Sequence, residues 1–248
     1  MTVDPVRHAR HILLKDIGGP GQQRLSRARV VIIGAGGLGA PAALYLAAAG
    51  VGAIRIAEPD VVSLDNLQRQ ILYRTQDVGR PKAERAAEAL TALDPSLDIE
   101  ARVLAADDAS LPGLLDGADL VLDGCDDFAT RFAVNRAALA ARIPLVSGAV
   151  GRWDGQVGVF APHLGPDAPC YQCWVPDIPP DAETCAETGI VGALTGVIGS
   201  LMALEAIKLI TGAGEALVGR LVIYDGLSGR ARTVRVQRDP GCKACGTG

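Results

Sequence analysis

The chain has 248 residues, of which 49% are hydrophobic and 4% aromatic, and its formal net charge is −4 at pH 7. This length suits a large domain with its own core, while the acidic balance and the few aromatic residues argue against nucleic-acid binding. The polar N-terminus lacks the apolar segment of a secretion signal and we identify no apolar run of membrane-spanning length, so we expect a cytoplasmic protein without a membrane partner.

Strands and helices alternate through the first 150 residues. Residues 5–28 predict a helical N-terminal arm, and residues 29–34 predict a buried strand that ends in glycine. The further predicted strands are residues 53–58, 98–104, 119–123 and 143–147, and the predicted helices are residues 38–49, 82–93, 111–117 and 128–141. This alternation indicates an α/β fold with a Rossmann-like, mostly parallel sheet and crossover helices.

The pattern changes after residue 150. We predict a strand, a long apolar helix and a final antiparallel hairpin, at residues 156–161, 190–211, and 221–225 with 232–238. Residues 168–188 are rich in Pro, Asp, Glu and Cys and have no periodicity, which indicates a zinc knuckle followed by a mobile loop. We expect a single domain over residues 1–248, with an arm (1–28), a nucleotide-binding part (29–150) and a C-terminal part (151–248).

A glycine-rich loop follows the first predicted strand. Gly34, Gly36 and Gly39 match the pattern G-x-G-x-x-G, and Glu58 lies 19 residues beyond Gly39, at the end of the next strand. Glycines let the backbone approach phosphates, the helix N-terminus supplies N–H donors, and the acid can accept from ribose hydroxyls. The alternative is a glycine-rich packing turn without a ligand. The order of strand, loop, helix and acid favours a nucleotide site.

Two cations and a carboxylate favour ATP·Mg²⁺ over a dinucleotide. Arg69 follows the second strand, Lys82 opens the next helix, and Asp126 lies just past a later strand. Strand C-termini share one crevice in an open parallel sheet, so these groups should converge on phosphates. Each alone would more commonly be a solvated surface charge. Of the neighbouring acids, Asp123 ends the strand and Asp127 could cap the following helix.

Six cysteines in a reducing compartment indicate metal or catalytic groups. Two Cys-x-x-Cys pairs predict one structural Zn²⁺ with four thiolate ligands, at Cys170, Cys173, Cys242 and Cys245. The alternative is one redox pair and one accidental pair. Cys125 fits a small buried filler. Cys185 could be a nucleophile, but adjacent glutamates would raise its pKa, so on the residues alone an inert thiol is favoured.

These segments together resemble the MoeB/ThiF/HesA family, whose members are related to ubiquitin-activating enzymes. The resemblance covers about residues 7–246 and rests on the four cysteines, Glu183-Thr-Cys185 and residues 34–39, 63–70, 79–82 and 123–127. It implies that the C-terminal Gly-Gly carboxylate of a small ubiquitin-like sulfur carrier protein attacks the α-phosphorus of ATP. An acyl-adenylate forms and pyrophosphate leaves. The closest branch is the one that serves molybdopterin biosynthesis.

The resemblance also assigns roles to individual residues. Gly37 and Gln70 join the ATP site, Asn66 and Arg69 contact phosphates, Lys82 neutralises the leaving pyrophosphate, and Asp126 holds Mg²⁺. Arg10 matches an arginine that reaches the ATP site of a partner subunit, which implies a homodimer. Cys185 matches a loop cysteine that serves thioester or persulfide steps in some members. The carrier would bind to residues 151–248.

Two departures and three alternatives accompany this resemblance. Glu58 stands where the family usually has Asp, and Asp127 stands where we expect Asn. No rhodanese domain follows the second Cys pair, so we expect a separate sulfur donor.

The first alternative is adenylation of a ThiS-like carrier in thiamine biosynthesis, or of another sulfur carrier. The others are an NAD-dependent oxidoreductase, which leaves Arg69, Lys82 and Asp126 unexplained, and a non-catalytic zinc-stapled scaffold.

Overall fold

One mixed sheet runs through the part of the chain that the computed structural model describes, residues 3–178 and 189–246. Its strands are β1 (Arg29–Ile33), β2 (Ala53–Ala57), β3 (Asp98–Arg102), β4 (Leu120–Asp123), β5 (Leu145–Gly151), β6 (Asp154–Phe160), β7 (Arg220–Asp225) and β8 (Arg230–Arg235). Their order across the sheet is β3-β2-β1-β4-β5-β6-β7-β8. The pairs from β3 to β5 are parallel and those from β5 to β8 are antiparallel. The predicted fold class is confirmed.

Helices cover both faces of this sheet. They are α1 (Ala9–Ile12), α2 (Gly18–Leu25), α3 (Gly39–Ala48), α4 (Lys82–Leu93), α5 (Leu111–Leu114), α6 (Phe128–Ala141), α7 (Tyr171–Trp174) and α8 (Gly192–Thr211). Each face of the sheet has its own hydrophobic core, and alternate residues of β1 belong to different cores. Val30 and Ile32 pack with α3, α4 and α8, whereas Val31 and Ile33 pack with α5, α6 and α7. Burial of both faces explains why β1 is apolar from Val30 to Ile33.

Helix α8 corrects the expectation that the chain has no apolar run of membrane-spanning length. Among the described residues it is the one helix that is long and apolar enough to cross a membrane, with 20 residues and a mean hydropathy of 1.7. In the structure α8 packs along β5, β6 and α3, with Ile198 and Met202 fully buried. The buried Glu205 carboxylate accepts a hydrogen bond of 2.7 Å from the Leu217 amide and pairs with Lys208. Packing against the sheet therefore accounts for part of its apolar residues, whereas Val197 and Leu204 are exposed.

Element limits differ from the predictions where tertiary pairing decides them. The strand predicted at 143–147 extends to Gly151 because it pairs with β6 in a hairpin. That hairpin crosses the predicted boundary at residue 150, so the sheet is continuous between the two parts. The helix predicted at 111–117 ends at Leu114, and the arm consists of two short helices. The predicted knuckle contains α7, and the loop predicted after it falls at residues 179–188, outside the described residues.

Candidate active site

The glycine loop connects β1 to α3 at the switch point of the sheet, where β1 lies between β2 and β4. Gly34 has a φ of +87°, and a Cβ there would lie 3.1 Å from the Gly124 carbonyl oxygen. A Cβ at Gly39 would overlap the Gly34 carbonyl, and one at Gly37 would lie 2.9 Å from Thr195 on α8. Glycine is therefore required for the tight turn and for its contact with neighbouring loops.

A cavity of about 740 Å³ opens beside this loop, at the carboxyl ends of the parallel strands. This volume lies within the usual range for small-molecule sites. The predicted residues that line it are Gly34, Gly36, Gly37, Glu58, Arg69, Gln70, Lys82 and Asp126. Three predicted residues do not line it: Gly39 begins α3 behind the loop, Asn66 ends a short 3₁₀ helix nearby, and Arg10 is exposed on α1.

The two predicted cations differ in their surroundings. The side chain of Lys82 is 5% exposed, and its Nζ lies 3.0 Å from the carboxylate of Asp60, which is 67% exposed. Arg69 is half-buried and donates to the Asp65 carbonyl at 3.1 Å. We did not predict Asp60 as a site residue from the sequence, although it lies only two residues beyond Glu58. The buried Lys82 side chain thus lines the cavity with its ammonium paired to a largely exposed carboxylate.

Glu58 fastens the glycine loop to the turn after β2. One carboxylate oxygen accepts from the Ala35 amide at 2.8 Å, and the other accepts from the Asp60 amide at 3.0 Å. Tyr73, also missed from the sequence, fixes the same loop by donating to the Ala35 carbonyl at 2.7 Å. The longer side chain at position 58 thus has a structural role in the loop itself, with remaining lone pairs towards the cavity.

Gln70 provides a buried polar atom that suits a ligand. The residue is 4% exposed, lines the cavity, and its Oε1 has no hydrogen-bond partner within residues 3–178 and 189–246. A buried acceptor without a donor costs free energy, which a donor on a bound ligand removes. The hydroxyls and the amino group of a nucleoside are donors of this kind. The cavity therefore fits a nucleotide by this observation as well as by its charges.

The three aspartates after β4 have separate roles, as their order in the sequence predicts. Asp123 is fully buried and paired with Arg131 at 3.2 Å. Asp127 caps α6 by accepting from the Thr130 amide at 2.8 Å. Asp126 is exposed, lines the cavity and has no hydrogen-bond partner among the described residues. Asp126 is thus the carboxylate of this turn that is free to bind a cation.

The four predicted cysteines meet in one cluster, and their ligand atoms all lie within 4.8 Å of one another. The Sγ–Sγ distances are 3.9 Å within the first pair, and 3.6 and 3.5 Å between the pairs. A tetrahedral site with Zn–S bonds of about 2.3 Å requires sulfur separations of about 3.8 Å. Burial raises the pKa of Cys173 to about 11, so a cation is needed to make this thiol a ligand. The cluster can hold a metal ion.

The remaining cysteines take different places. Cys125 is half-buried beside the glycine loop, and burial raises the pKa of its thiol, in agreement with a filler role. Cys185 lies outside the described residues.

Comparison with known proteins identifies the family. The model of the ThiF family matches residues 8–244. The chain belongs to the ThiF family. A sulfur carrier protein adenylyltransferase of Thermus thermophilus is 46% identical to this ThiF-family chain over 97% of the chain and 90% of that protein. The Escherichia coli molybdopterin-synthase adenylyltransferase is 44% identical, covering 97% of the chain and 96% of that protein.

Two further comparisons extend this result. The sulfur carrier protein ThiS adenylyltransferase of Escherichia coli is 43% identical to the ThiF-family chain, covering 98% of it and 96% of that protein. Among solved structures, Escherichia coli MccB superposes with a TM-score of 0.85 over 100% of the chain and 74% of that protein, at 22% identity. The structural similarity establishes the shared fold.

Proposed function

We propose that the chain is an ATP-dependent adenylyltransferase that activates the C-terminal Gly-Gly carboxylate of a ubiquitin-like sulfur carrier for molybdopterin biosynthesis. One observation carries the proposal: the glycine loop, Arg69, Lys82 and Asp126 line one nucleotide-sized cavity. The relatives named adenylyltransferases, at 43–46% identity over nearly the full chain, support the same reaction.

The residues bind and orient the substrates instead of providing a base. The amides of Gly36 and Gly37 would contact phosphates, whereas the amides of Ala35, Ala40 and Ala42 already donate to Glu58 and to carbonyls of the loop. Asn66 and Arg69 would contact phosphates, Lys82 would neutralise the leaving pyrophosphate, and Gln70 would accept from the nucleoside. The attacking carboxylate is already ionised at pH 7, so the reaction requires no general base.

Lys82 would exchange its partner when ATP binds. Its ammonium is buried, whereas the Asp60 carboxylate is 67% exposed and is rehydrated easily once released. A phosphate oxygen can replace that carboxylate without leaving a buried charge unpaired. Asp60 thus pairs with Lys82 in the free protein at little cost to nucleotide binding.

Mg²⁺ and Zn²⁺ would have separate sites. Asp126 would hold Mg²⁺, which would supply positive charge to offset that of the phosphates. We propose Zn²⁺ for the four-cysteine cluster, because four thiolates at tetrahedral spacing leave no open position for a substrate. Its role is therefore structural.

Further proposals concern assembly and partners. Arg10 is exposed on α1 and lies outside the cavity of its own chain, so it is available to the cavity of a second copy in a homodimer. We propose that residues 151–248 bind the carrier, that a separate protein donates sulfur, and that the enzyme works in the cytoplasm. Cys185 remains a candidate for a later thioester or persulfide step.

The alternative is a ThiS-like carrier in thiamine biosynthesis. The identities to the molybdopterin-synthase and ThiS adenylyltransferases, 44% and 43%, do not separate the two pathways. The proposed cavity residues would serve either carrier, since both reactions are adenylations of a C-terminal carboxylate. The discriminating contacts belong to the surface of the carrier.

The test is carrier-dependent exchange of labelled pyrophosphate into ATP. We expect exchange with one of two carriers, MoaD-like or ThiS-like, and none with the same carrier lacking its last glycine. Exchange that is faster with the ThiS-like carrier would select the alternative pathway. Absence of exchange with either carrier, for protein that is folded and binds ATP, would contradict adenylation of these carriers.

A further inference from the structure

The turn that carries Asp126 rests on a buried polar cluster. Asp123, at the end of β4, accepts from the Cys125 amide at 3.0 Å and from the Ser147 hydroxyl at 3.0 Å. Arg131, one turn into α6, donates to both the Asp123 carboxylate and the Ser147 hydroxyl at 3.2 Å. Its second terminal nitrogen donates to the Cys125 carbonyl. The side chains of Arg131 and Asp123 are 6% and 0% exposed.

This cluster fixes the backbone on one side of Asp126, and the helix cap fixes the other. The N–H of Cys125 is held by Asp123, and its C=O is held by Arg131. On the other side, Asp127 is held by its side-chain bond to the Thr130 amide. Asp126 lies between these fixed residues with an unpartnered carboxylate among the described residues. The backbone of Asp126, and with it the direction of its Cα–Cβ bond, is therefore set by its neighbours.

The Arg131 guanidinium is itself confined. Burial raises the pKa of the Tyr171 hydroxyl, and the Arg131 guanidinium opposes that rise. The Tyr171 ring packs against Phe160 with ring centres 5.4 Å apart. A planar guanidinium can serve three acceptors in fixed directions, whereas a lysine ammonium on a flexible stem cannot hold the same set. Arginine is thus required here for geometry as well as for charge.

We propose that Arg131 is a positioning residue that orients Asp126 for Mg²⁺, acting through the Cys125 carbonyl and Asp123. This inference rests on the proposed role of Asp126. A buried ion pair is weak evidence for stability, because the desolvation of the two charges offsets much of their attraction. Holding the turn in one conformation is therefore the better explanation of the Arg131–Asp123 pair. Arg131 borders the cavity, but its terminal nitrogens are committed to Asp123, Ser147 and Cys125.

The experiment measures ATP binding by calorimetry as Mg²⁺ is varied. Arg131→Lys keeps the positive charge but removes the planar guanidinium with its two terminal nitrogens. We expect the half-saturating Mg²⁺ concentration to rise about tenfold or more, because small misplacements of a binding group have effects up to about a hundredfold. Binding of ATP without Mg²⁺ should be unchanged. Arg136→Lys is the matched control, since Arg136 lies on the same helix in an exposed pair with Asp108, and it should leave both values unchanged.

Ser147→Ala provides a milder second variant, should Arg131→Lys fold poorly. It removes one bond of the cluster and should raise the Mg²⁺ requirement by a smaller factor, with thermal unfolding as the check on folding. Equal weakening of ATP binding with and without Mg²⁺ would show a merely structural role and overturn the inference.

Asp126→Asn separates the two levels of the proposal. If it abolishes the dependence on Mg²⁺ while Arg131→Lys and Ser147→Ala behave as the parent chain, the positioning role is overturned and the proposed function stands. If Asp126→Asn behaves as the parent chain, the proposed metal site itself is wrong.

Discussion

Two adjacent aspartates offer a sharp test of the metal assignment. Asp126 and Asp127 are both exposed and lie in the same turn beside the cavity. They differ in their bonds: Asp127 accepts from the Thr130 amide at 2.8 Å, and Asp126 has no partner among the described residues. Replacement of each by alanine should therefore affect different properties. Asp126→Ala should reduce activity, and Asp127→Ala should reduce stability.

The structure gives the expected magnitudes. Loss of a helix N-cap costs about 1 kcal/mol, which lowers the melting temperature of a chain of this size by roughly 2–4 °C. Removal of an exposed, unpaired carboxylate changes stability by less than about 0.5 kcal/mol. A bound metal contributes several kcal/mol to charge stabilisation, and about 1.4 kcal/mol corresponds to a tenfold rate, so Asp126→Ala should slow adenylation by about 10²–10⁴.

Pyrophosphate exchange and thermal unfolding of the two variants provide the assay. Asp127→Asn is the matched control, because asparagine is also a good N-cap and should restore the stability of α6. Dimer formation and metal content at the cysteine cluster should be unchanged in every variant. A large loss of exchange in Asp127→Ala, together with near-normal exchange in Asp126→Ala, would refute the assignment of the two residues.

Three further predictions concern other groups. Arg10→Ala should lower adenylation without unfolding the chain. Mixing Arg10→Ala chains with Asp126→Ala chains should restore part of the activity. If subunit exchange is confirmed and activity does not recover, the result counts against shared sites. Cys242→Ser should remove the bound metal and destabilise the C-terminal hairpin, measured by metal analysis and thermal unfolding, because structural zinc contributes folding energy directly; full metal content would contradict the ligand set. Cys185→Ala should retain most pyrophosphate exchange, because the carboxylate attacks ATP directly; collapse of exchange would place that thiol, or its loop, in the first chemical step.

Features that depend on local sequence were predictable. Gly34 and Gly39 follow a buried strand at fixed spacing, and a tight turn of this kind requires residues without a side chain. The two Cys-x-x-Cys pairs could be paired with each other because four thiolates satisfy one metal. Asp127 was predicted as a possible cap from its place before an apolar helix, and the structure confirms it.

Features that depend on tertiary contact were missed. Asp60, Tyr73 and Arg131 are ordinary polar residues in the sequence, and their roles follow only from which strands are neighbours. Arg131 shows this clearly: its partners Asp123 and Ser147 lie on β4 and β5, which pair in parallel with these two residues opposite each other. The end of β5 was misplaced for the same reason, since pairing with β6 extends it to Gly151.

The position of the cysteine cluster links the stability of the chain to the supply of metal. Cys170 and Cys242 are 72 positions apart, so an ion bound by the cluster would act as a cross-link that closes a long loop. By analogy with a disulfide, closing a loop of this length removes chain entropy worth roughly 4 kcal/mol from the unfolded state. This cross-link is reversible and does not depend on an oxidising compartment. While free metal exceeds the Kd of the folded cluster and does not bind the unfolded chain, each tenfold rise in its concentration should add about 1.4 kcal/mol to the unfolding free energy. Metal starvation should therefore shorten the lifetime of the folded enzyme.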